Sequence, residues 1–309
     1  MIYHFLKILF RLQFWCFVRQ LRIENPERRG EKGPLLLAVN HPNSLLDALI
    51  VGGFMDEPIH FMARGDVFRL KPVRKFLEKL NMIPIYRIRD GKAKLSMNDR
   101  SFDKGVEVLK NNGLLLIFVE GFCANQTELQ LPLKKGGPRM VQSSWRHNIP
   151  ARILPVWLEY SGFRSFGLSV NVRFGEPFGN EIATNVDSTR TLNEINKETT
   201  VRLQKLHGGR KITLNRIPGF LKVLLFIPAL AGLLIHWPVY TLGAVIANHI
   251  NKKKVHYHSI LFTLLMFVLP FFWLLCGGIM FIFTQSWLFA VATILALPFL
   301  LKLSHFIRR

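Results

Sequence analysis

The fold of this chain is decided at residues 34–50, which read PLLLAVNHPNSLLDALI. The apolar run within it is bounded by Gly33 and Pro42, which is the pattern of a buried strand. The residues after Pro42 read as a helix start, with Ser44 as the N-cap and Asp47 as the carboxylate of a capping box. The segment therefore predicts a strand, a tight turn and a helix, with His41 at the end of the strand.

His41 and Asp47 are six positions apart across this turn. An imidazole titrates near neutral pH, and a carboxylate bonded to one of its ring nitrogens fixes the tautomer and stabilises the imidazolium. Six residues of straight helix advance the face by roughly 240°, so the two side chains meet only if the turn folds His41 back over the helix start. The segment alone leaves two interpretations open: a general-base pair, or a solvated histidine beside an ordinary capping box.

The composition separates a soluble domain from a membrane region. The chain has 309 residues, of which 50% are hydrophobic, and residues 218–301 are almost continuously apolar. The formal net charge of +21, from 41 Lys+Arg against 20 Asp+Glu, suits anionic lipid, nucleic acid or phosphorylated substrates. The apolar segments favour lipid, and the absence of a zinc-finger, RRM or basic-zipper pattern argues against a nucleic-acid partner.

Three cysteines without CxxC spacing, Cys16, Cys123 and Cys276, suggest neither a disulfide framework nor a zinc site. The pair His256 and His258 stands beside a lysine run, and we expect it to be interfacial rather than metal-binding. The sequence thus predicts no metal site and a reducing, cytoplasmic context.

Short apolar runs alternate with helical patterns between residues 34 and 206. The predicted strands are 34–39, 58–63, 82–87, 114–119, 152–158 and 165–174, and the predicted helices are 44–54, 70–80, 99–111, 137–147 and 187–206. This alternation predicts an α/β domain over residues 25–210, with a largely parallel sheet flanked by helices, in which ligands collect at the strand ends.

The two ends of the chain are predicted to be helical. Residues 1–24 mix aromatic and basic side chains and predict an interfacial amphipathic helix, the alternative being a helix packed on the domain. Residues 217–309 predict an all-α membrane region, with transmembrane helices at about 260–283 and 287–303. Because cations flank residues 217–250 on both sides, we expect a re-entrant hairpin there, bent near residues 236–238.

Three further stretches carry chemical groups at places where such a domain would hold its site. The strand at 82–87 ends in Arg87, whose guanidinium is a bidentate phosphate donor. The strand at 114–119 is followed by Glu120 and Gly121. Lys135 and Gly136 precede a helix, an arrangement that cradles phosphate.

Taken together and in this order, the four stretches resemble the glycerolipid acyltransferase family, which includes lysophosphatidate and glycerol-3-phosphate acyltransferases. The family's first motif, Asn-His followed by a downstream Asp, corresponds to Asn40, His41 and Asp47. The other motifs correspond to residues 83–87 (IPIYR), to Phe118, Glu120 and Gly121 with Lys135-Gly136 after them, and to residues 154–156 (LPV). The resemblance covers residues 34–158.

The chain departs from the family pattern at two places. Five residues rather than four separate His41 from Asp47, and Val119 stands where the third motif has proline. Phe122 and Cys123 replace polar residues that usually follow that motif. These departures bear on the identity of the acceptor more than on the chemistry.

The resemblance implies a membrane-bound O-acyltransferase of phospholipid biosynthesis. His41 would be the general base and Asp47 its orienting carboxylate, and the substrate-binding residues would be Arg87, Glu120, Gly121, Lys135 and Gly136. The acyl donor would be acyl-CoA or an acyl-carrier protein, with no metal and no cofactor. The acceptor would be lysophosphatidate or glycerol 3-phosphate, reached from the cytoplasmic face of the membrane. Two alternatives remain: transfer to, or between, lysophospholipids or amino lipids, and a non-catalytic membrane protein that binds anionic lipid.

Overall fold

The computed structural model describes residues 2–86, 96–164, 167–209, 212, 218–250 and 255–307. These residues form nine α-helices: α1 Ile2–Phe17, α2 Leu45–Phe54, α3 Lys71–Lys79, α4 Asn98–Lys110, α5 Gly136–Arg146, α6 Thr191–His207, α7 Gly219–Ile250, α8 Tyr257–Thr284 and α9 Trp287–Ser304. They also form seven strands: β1 Gln20–Glu24, β2 Leu35–Val39, β3 Ile59–Arg64, β4 Met82–Ile85, β5 Leu114–Phe118, β6 Arg152–Tyr160 and β7 Ser169–Phe174.

The described strands form one sheet in the order β1-β7-β6-β2-β5-β3-β4. Neighbouring strands are parallel except for β6 and β7, which are antiparallel. The predicted α/β domain with a largely parallel sheet is therefore confirmed. β2 lies at the centre between β5 and β6, so the carboxyl ends of these three parallel strands meet at one edge, where such sheets hold their ligands.

Helices cover both faces of the sheet, and β2 contributes side chains to both. Leu35, Leu37 and Val39 join a buried cluster with α1, α2 and α8. Leu36 and Ala38 join a second cluster with α4, α5 and α6. A strand that is buried on both faces has no polar alternation, which explains why β2 reads as an unbroken apolar run.

The N-terminal residues do not form the single helix predicted at 1–24. α1 ends at Phe17, and Gln20–Glu24 form β1, which pairs in parallel with β7 at the edge of the sheet. The unit that contains the sheet therefore begins before residue 25, the predicted boundary. The sequence does not distinguish this strand from a helix. The alternating polar and apolar residues QLRIE are typical of a half-buried edge strand, but they also resemble one turn of an amphipathic helix.

The two faces of α1 serve different contacts. Phe10 and Phe14 are buried against the rings of Phe54 on α2 and Phe262 on α8. The opposite face leaves Phe5 and Ile8 65% and 69% exposed. α1 is therefore packed on the domain, and its outer face has the apolar character of an interfacial helix.

Among the described residues, three helices are long and apolar enough to cross a membrane: α7, α8 and α9. Two of them lie where the sequence predicts spans at 260–283 and 287–303. Their outer surfaces carry many exposed large apolar side chains, among them Phe220, Val223, Ile227, Phe271, Phe283, Trp287 and Leu288. A surface of this size and character favours lipid over water and indicates membrane association.

The re-entrant hairpin predicted at 217–250 is wrong for the described part, residues 218–250. α7 runs as one helix through Pro228 and Pro238. A proline inside a helix removes one backbone hydrogen bond, and neighbouring helices can compensate for that loss. Here His236 Nε2 accepts a hydrogen bond of 3.0 Å from Trp273 Nε1 on α8, and Gly232 allows the backbone of α9 to approach closely. The segment therefore continues as one helix through residues 236–238, where side-chain and backbone contacts join it to two neighbouring helices.

The α8–α9 hairpin is joined to the α/β domain at both of its ends. At the end of α9, Lys302 Nζ donates hydrogen bonds to the carbonyl oxygens of Trp15 and Val18, at 3.0 and 2.7 Å. These bonds satisfy carbonyl groups at the end of α1, which have no partner within their own helix. The start of α8 contacts the residues that follow His41.

Candidate active site

Three polar links fix the backbone where β2 ends. The Val119 N–H donates to the Val39 carbonyl oxygen at 3.0 Å, which extends the pairing of β2 with β5. The Asn40 side chain bonds both the N–H and the C=O of Leu158, at 2.7 and 2.9 Å, and so extends the pairing with β6. A proline at position 119 would lack the N–H for the first link, which gives the departure from the family motif a structural role.

His41 and Asp47 meet across the turn, as the general-base interpretation requires. His41 Nδ1 lies 2.9 Å from Asp47 Oδ2, and the imidazole stacks on the ring of Phe118 with 3.7 Å between ring centroids. Because a carboxylate only accepts hydrogen bonds, Nδ1 carries the proton in this contact and Nε2 is left with a lone pair. The imidazole is therefore held in the tautomer that can take a proton at Nε2.

Asp47 is fully buried and receives two hydrogen bonds besides the one from His41. The Asn43 N–H donates to Oδ2 at 2.7 Å, and the Tyr160 hydroxyl donates to Oδ1 at 2.5 Å. Burial raises the pKa of the Asp47 carboxyl, whereas the bonds from His41, Tyr160 and Asn43 lower it. These donors serve the ionised carboxylate, which is the form that orients His41.

The capping box predicted at the start of α2 is absent. Ser44 occupies the N-cap position, but its side chain makes no hydrogen bond to the helix, and its backbone has φ 59° and ψ −135°. The Asp47 carboxylate does not bond back to the Ser44 amide, because His41, Asn43 and Tyr160 already occupy it. The predicted N-cap residue is therefore right in position and wrong in its bonding.

Glu120 anchors the backbone on two sides of the site. Its Oε2 accepts a 2.7 Å hydrogen bond from the His41 N–H, and its Oε1 accepts one of 2.8 Å from the Gln130 N–H. The side chain is buried, which raises the pKa of its carboxyl, while the two backbone donors lower it. Glu120 thus positions His41 and closes the loop 121–130, in addition to the substrate-binding role the sequence predicts.

Gly121 adopts φ +71°, the left-handed region that favours glycine. A Cβ atom at this position would lie 2.6 Å from Cγ of Lys134, so the lysine stem packs directly on the glycine. The Lys134 N–H also donates to the Val119 carbonyl oxygen at 2.8 Å. The cation beside Gly121 is therefore Lys134, the neighbour of the predicted Lys135.

Lys135 and Gly136 lie at the start of α5, as predicted. Lys135 is the exposed N-cap residue, and α5 begins at Gly136. The backbone N–H groups of a helix start favour anions, and the bond from Lys134 to Val119 places this start beside the end of β5. Arg87, the remaining predicted phosphate ligand, lies outside the described residues.

Cys123 packs against the turn from the loop that follows Gly121. The Ser44 N–H donates to its Sγ at 3.0 Å. Burial raises the pKa of the Cys123 thiol to about 12. A thiol with this pKa stays protonated at neutral pH, so Cys123 has a packing role and lacks the thiolate of a nucleophile.

Several residues of the site were missed in the sequence. Asn40 and Phe118 were matched to motifs without a role, and Tyr160 gave no signal beyond its position at the end of β6. His256, His258 and Ser259, at the start of α8, also reach this turn. The motif pattern could have indicated Asn40 and Phe118, whereas contacts between distant segments required the fold.

The comparisons with known proteins agree with this geometry. The family model described as Acyltransferase matches residues 20–159. A 1-acyl-sn-glycerol-3-phosphate acyltransferase of Bacillus subtilis is 25% identical over 132 residues, which cover 42% of this chain and 61% of that protein. The chain therefore matches about three-fifths of the length of this curated relative.

A solved structure shares the fold. The crystal structure of PlsC, the 1-acyl-sn-glycerophosphate (LPA) acyltransferase of Thermotoga maritima, superimposes with a TM-score of 0.50 at 17% identity and covers 68% of this chain and 81% of that one. The family match includes β1, β2 and His41, Asp47 and Glu120, and it ends within β6. Residues 20–159 of this chain therefore resemble an acyltransferase domain in sequence, within a fold that is similar to that of PlsC.

Proposed function

We propose that the protein transfers a fatty acyl chain from an acyl thioester to a hydroxyl of a phosphorylated glycerol lipid, with lysophosphatidate as the first candidate acceptor and glycerol 3-phosphate as the second. The observation that carries the proposal is the His41–Asp47 pair, held by Phe118, Tyr160 and Glu120 so that Nε2 can act as a base. The family match and the activity of the Bacillus subtilis relative support the reaction class.

In the proposed reaction, His41 Nε2 removes the proton of the acceptor hydroxyl as its oxygen attacks the thioester carbonyl carbon. The carbon–sulfur bond then breaks, and the thiolate leaves with the proton from the imidazolium. Asp47 stabilises the imidazolium between these steps. The acyl group is already activated as a thioester, so the proposal requires no metal, no cofactor and no acyl-enzyme.

We assign the acyl chain to a cavity of about 100 Å³ beside α2. Its lining is almost entirely apolar, from one face of α2 together with α1, β3 and β4, and consists of Tyr3, Leu6, Lys7, Phe10, Leu45, Ala48, Leu49, Gly52, Gly53, Phe61, Leu80 and Met82. The cavity reaches Leu45, the first residue of the helix that carries Asp47. An acyl chain bound here would leave its thioester end near the start of α2.

We assign the acceptor phosphate to the start of α5, where Lys135 and the backbone at Gly136 offer positive charge, and to Arg87 from the sequence pattern. Phe122 is 47% exposed next to Gly121, and an apolar residue there favours an acceptor that carries an acyl chain over glycerol 3-phosphate. The net charge of +21 and the three apolar helices favour a site at the cytoplasmic leaflet of the membrane, where a soluble acyl-CoA or acyl-carrier protein can reach it.

The test is acyl transfer by the purified full-length protein in lipid vesicles. Labelled palmitoyl-CoA and palmitoyl-acyl-carrier protein would each be offered with lysophosphatidate, glycerol 3-phosphate, a lysophospholipid or an amino lipid. We expect lysophosphatidate to be acylated, His41→Ala to lower turnover by about 10²- to 10⁴-fold, and Asp47→Asn to lower it by less. His147→Ala, which changes an exposed histidine at the end of α5, is the matched control and should retain activity.

Each alternative has its own result in this assay. Acylation of only a lysophospholipid or amino lipid would replace the proposed acceptor and keep the mechanism. Near-full activity of His41→Ala would refute His41 as the base. A wild-type protein that acylates nothing yet binds anionic vesicles would indicate the non-catalytic alternative.

A further inference from the structure

The helix that carries Asp47 has no N-terminal cap of its own. The first N–H groups of an α-helix lack partners within it, and a side chain at the N-cap usually accepts one of them. Ser44 does not do so here. Instead, the Leu46 N–H donates a 3.0 Å hydrogen bond to Ser259 Oγ, on the first turn of α8. The same hydroxyl donates to the Asn43 carbonyl oxygen at 2.9 Å.

Two histidines beside Ser259 contact the same segment. His256 Nδ1 lies 2.6 Å from Ser44 Oγ, and the Asn43 side-chain N–H donates to His258 Nδ1 at 3.3 Å. His258 and Ser259 are 0% and 4% exposed, so the bonds of these two residues lie in the interior, while the bond of His256 is partly buried. Four hydrogen bonds from His256, His258 and Ser259 thus join the start of a membrane helix to residues 43–46, which are more than 200 positions earlier in the chain.

These contacts act on the part of the backbone that brings His41 to Asp47. Ser44 has φ 59°, an unfavourable backbone angle for a residue with a side chain, and such a conformation persists only where surrounding contacts determine it. The Asn43 N–H donates to Asp47, while the Asn43 carbonyl oxygen is held by Ser259. Loss of the Ser259 hydroxyl would leave one buried donor and one buried acceptor on this segment without their partner.

We infer that α8 is a working part of the active site: Ser259 caps α2 from the membrane region, and together with His256 and His258 it positions the 41–46 segment for catalysis. The expected effect on kcat rests on the proposed acyl transfer. The capping of α2 by Ser259 rests on the hydrogen bonds alone. Ser259 is a positioning residue, because its effect on the reaction passes through His41 and Asp47.

The experiment combines hydrogen exchange with kinetics on Ser259→Ala in the full-length protein. We expect the amides of residues 43–47 to exchange about tenfold faster, with β6 unchanged as the measure of global folding. We expect kcat to fall on the order of 10- to 100-fold, with KM for donor and acceptor unchanged. Ser259→Thr keeps the hydroxyl and should restore both readouts.

Two comparisons separate positioning from a general loss of structure. Ser304→Ala removes an equally buried hydroxyl that bonds the Leu301 carbonyl oxygen of its own helix, and it should change neither readout. Adding Ser259→Ala to Asp47→Asn should lower kcat by less than it does in the wild type, because both changes disturb the same pair. His256→Gln is the second variant if Ser259→Ala does not fold, and it should also lower kcat.

Unchanged exchange at residues 43–47 in Ser259→Ala would overturn the inference, whatever the activity. Faster exchange with unchanged kcat would show that the cap exists and does not serve catalysis, which also overturns it. If the wild type transfers no acyl group, the proposed function fails by itself, and the exchange result alone decides whether α8 caps α2.

Discussion

At the scale of single residues, Asp47 is where the contacts of the site converge. It accepts from a side chain of its own turn, from the backbone of that turn and from a strand 113 positions away, through His41, Asn43 and Tyr160. A buried carboxylate with three donors has little freedom to rotate. Its orientation sets that of His41, so changes to its donors are expected to alter the reaction without contact with substrate.

Tyr160→Phe tests this dependence through pH. The Tyr160 hydroxyl lowers the pKa of Asp47, so its removal raises that pKa, and Asp47 becomes protonated at a higher pH than in the wild type. A protonated Asp47 no longer stabilises the imidazolium. We therefore expect the acid-side loss of kcat to move to higher pH, with the deficit smallest at alkaline pH. Tyr240→Phe, on α7, is the control for loss of a tyrosine hydroxyl. If kcat of Tyr160→Phe falls at the same acidic pH as kcat of the wild type, the role of Tyr160 is refuted.

At this scale, the sequence predicted the His41–Asp47 pair but not the distant residues that hold it in place. His41 and Asp47 were accessible because their spacing across a strand-to-helix turn is local. Tyr160 and Ser259 were not, since a tyrosine at a strand end and a serine in an apolar helix look like many others until the fold brings them to Asp47 and Leu46. The capping box failed for a related reason: local pattern cannot show that a carboxylate is already occupied by a distant donor.

At the scale of elements, α2 serves the proposed reaction with two faces. Asp47 points to the polar site, and the residues at 45, 48, 49 and 52 line the apolar cavity. Gly52 and Gly53 allow two phenylalanine rings to approach the helix backbone on this face. A Cβ at Gly52 would lie 2.6 Å from the ring of Phe61, and one at Gly53 would lie 2.3 Å from the ring of Phe10. The helix thus holds Asp47 of the His41–Asp47 pair and the proposed acyl site at a fixed separation.

Leu49→Trp should therefore change the preference for acyl length. The larger side chain would occupy the cavity, and a few missing methylene contacts are worth about tenfold or more in kcat/KM. We expect palmitoyl-CoA to lose at least that factor relative to octanoyl-CoA. Leu49→Met conserves the volume and should keep the wild-type order. Equal losses for both donors in Leu49→Trp would mean that the acyl chain binds elsewhere.

The long apolar-periodic elements were predictable, and the errors fell at the two ends of the domain. Most of the central strands and helices lie within a few residues of their predicted bounds, because each is bounded by turn residues. β1 and the unbroken α7 were not predicted because their structure depends on neighbours. β1 exists through its pairing with β7, and α7 has contacts with α8 and α9 along one side, including the bond from Trp273 to His236.

At the scale of the whole molecule, the α/β domain and the membrane helices share one interior. A single buried cluster contains Val39 of β2, Phe14 of α1, Phe262 of α8 and Leu301 of α9. The hairpin of α8 and α9 starts and ends at the domain, through Ser259 and Lys302. The membrane region therefore belongs to the same structural unit as the site.

This arrangement predicts the orientation of the hairpin. Cations flank it at residues 252–254 and at Lys302, Arg308 and Arg309, which favours the cytoplasm for both of its ends. Gln285, in the turn between α8 and α9, should then lie on the opposite side. In a cysteine-free background, Gln285→Cys should react with an impermeant thiol reagent on intact cells, and Asp187→Cys, on the exposed surface of the domain, only after permeabilisation. Reaction of both from the same side would refute this topology.

The shared interior also governs when the protein can begin to work. Ser259 follows Leu46 by 213 residues, and at about 5–20 residues per second a ribosome needs on the order of ten seconds or more to travel that distance. Because β7 ends at Phe174, the last strand of the sheet is made before the helices that complete the site, and the apolar side of β2 then has no cover from α8 and α9. The nascent chain is therefore expected to be inactive until its last helices have entered the bilayer, so that the proposed acyl transfer would start only where a lipid product can be delivered.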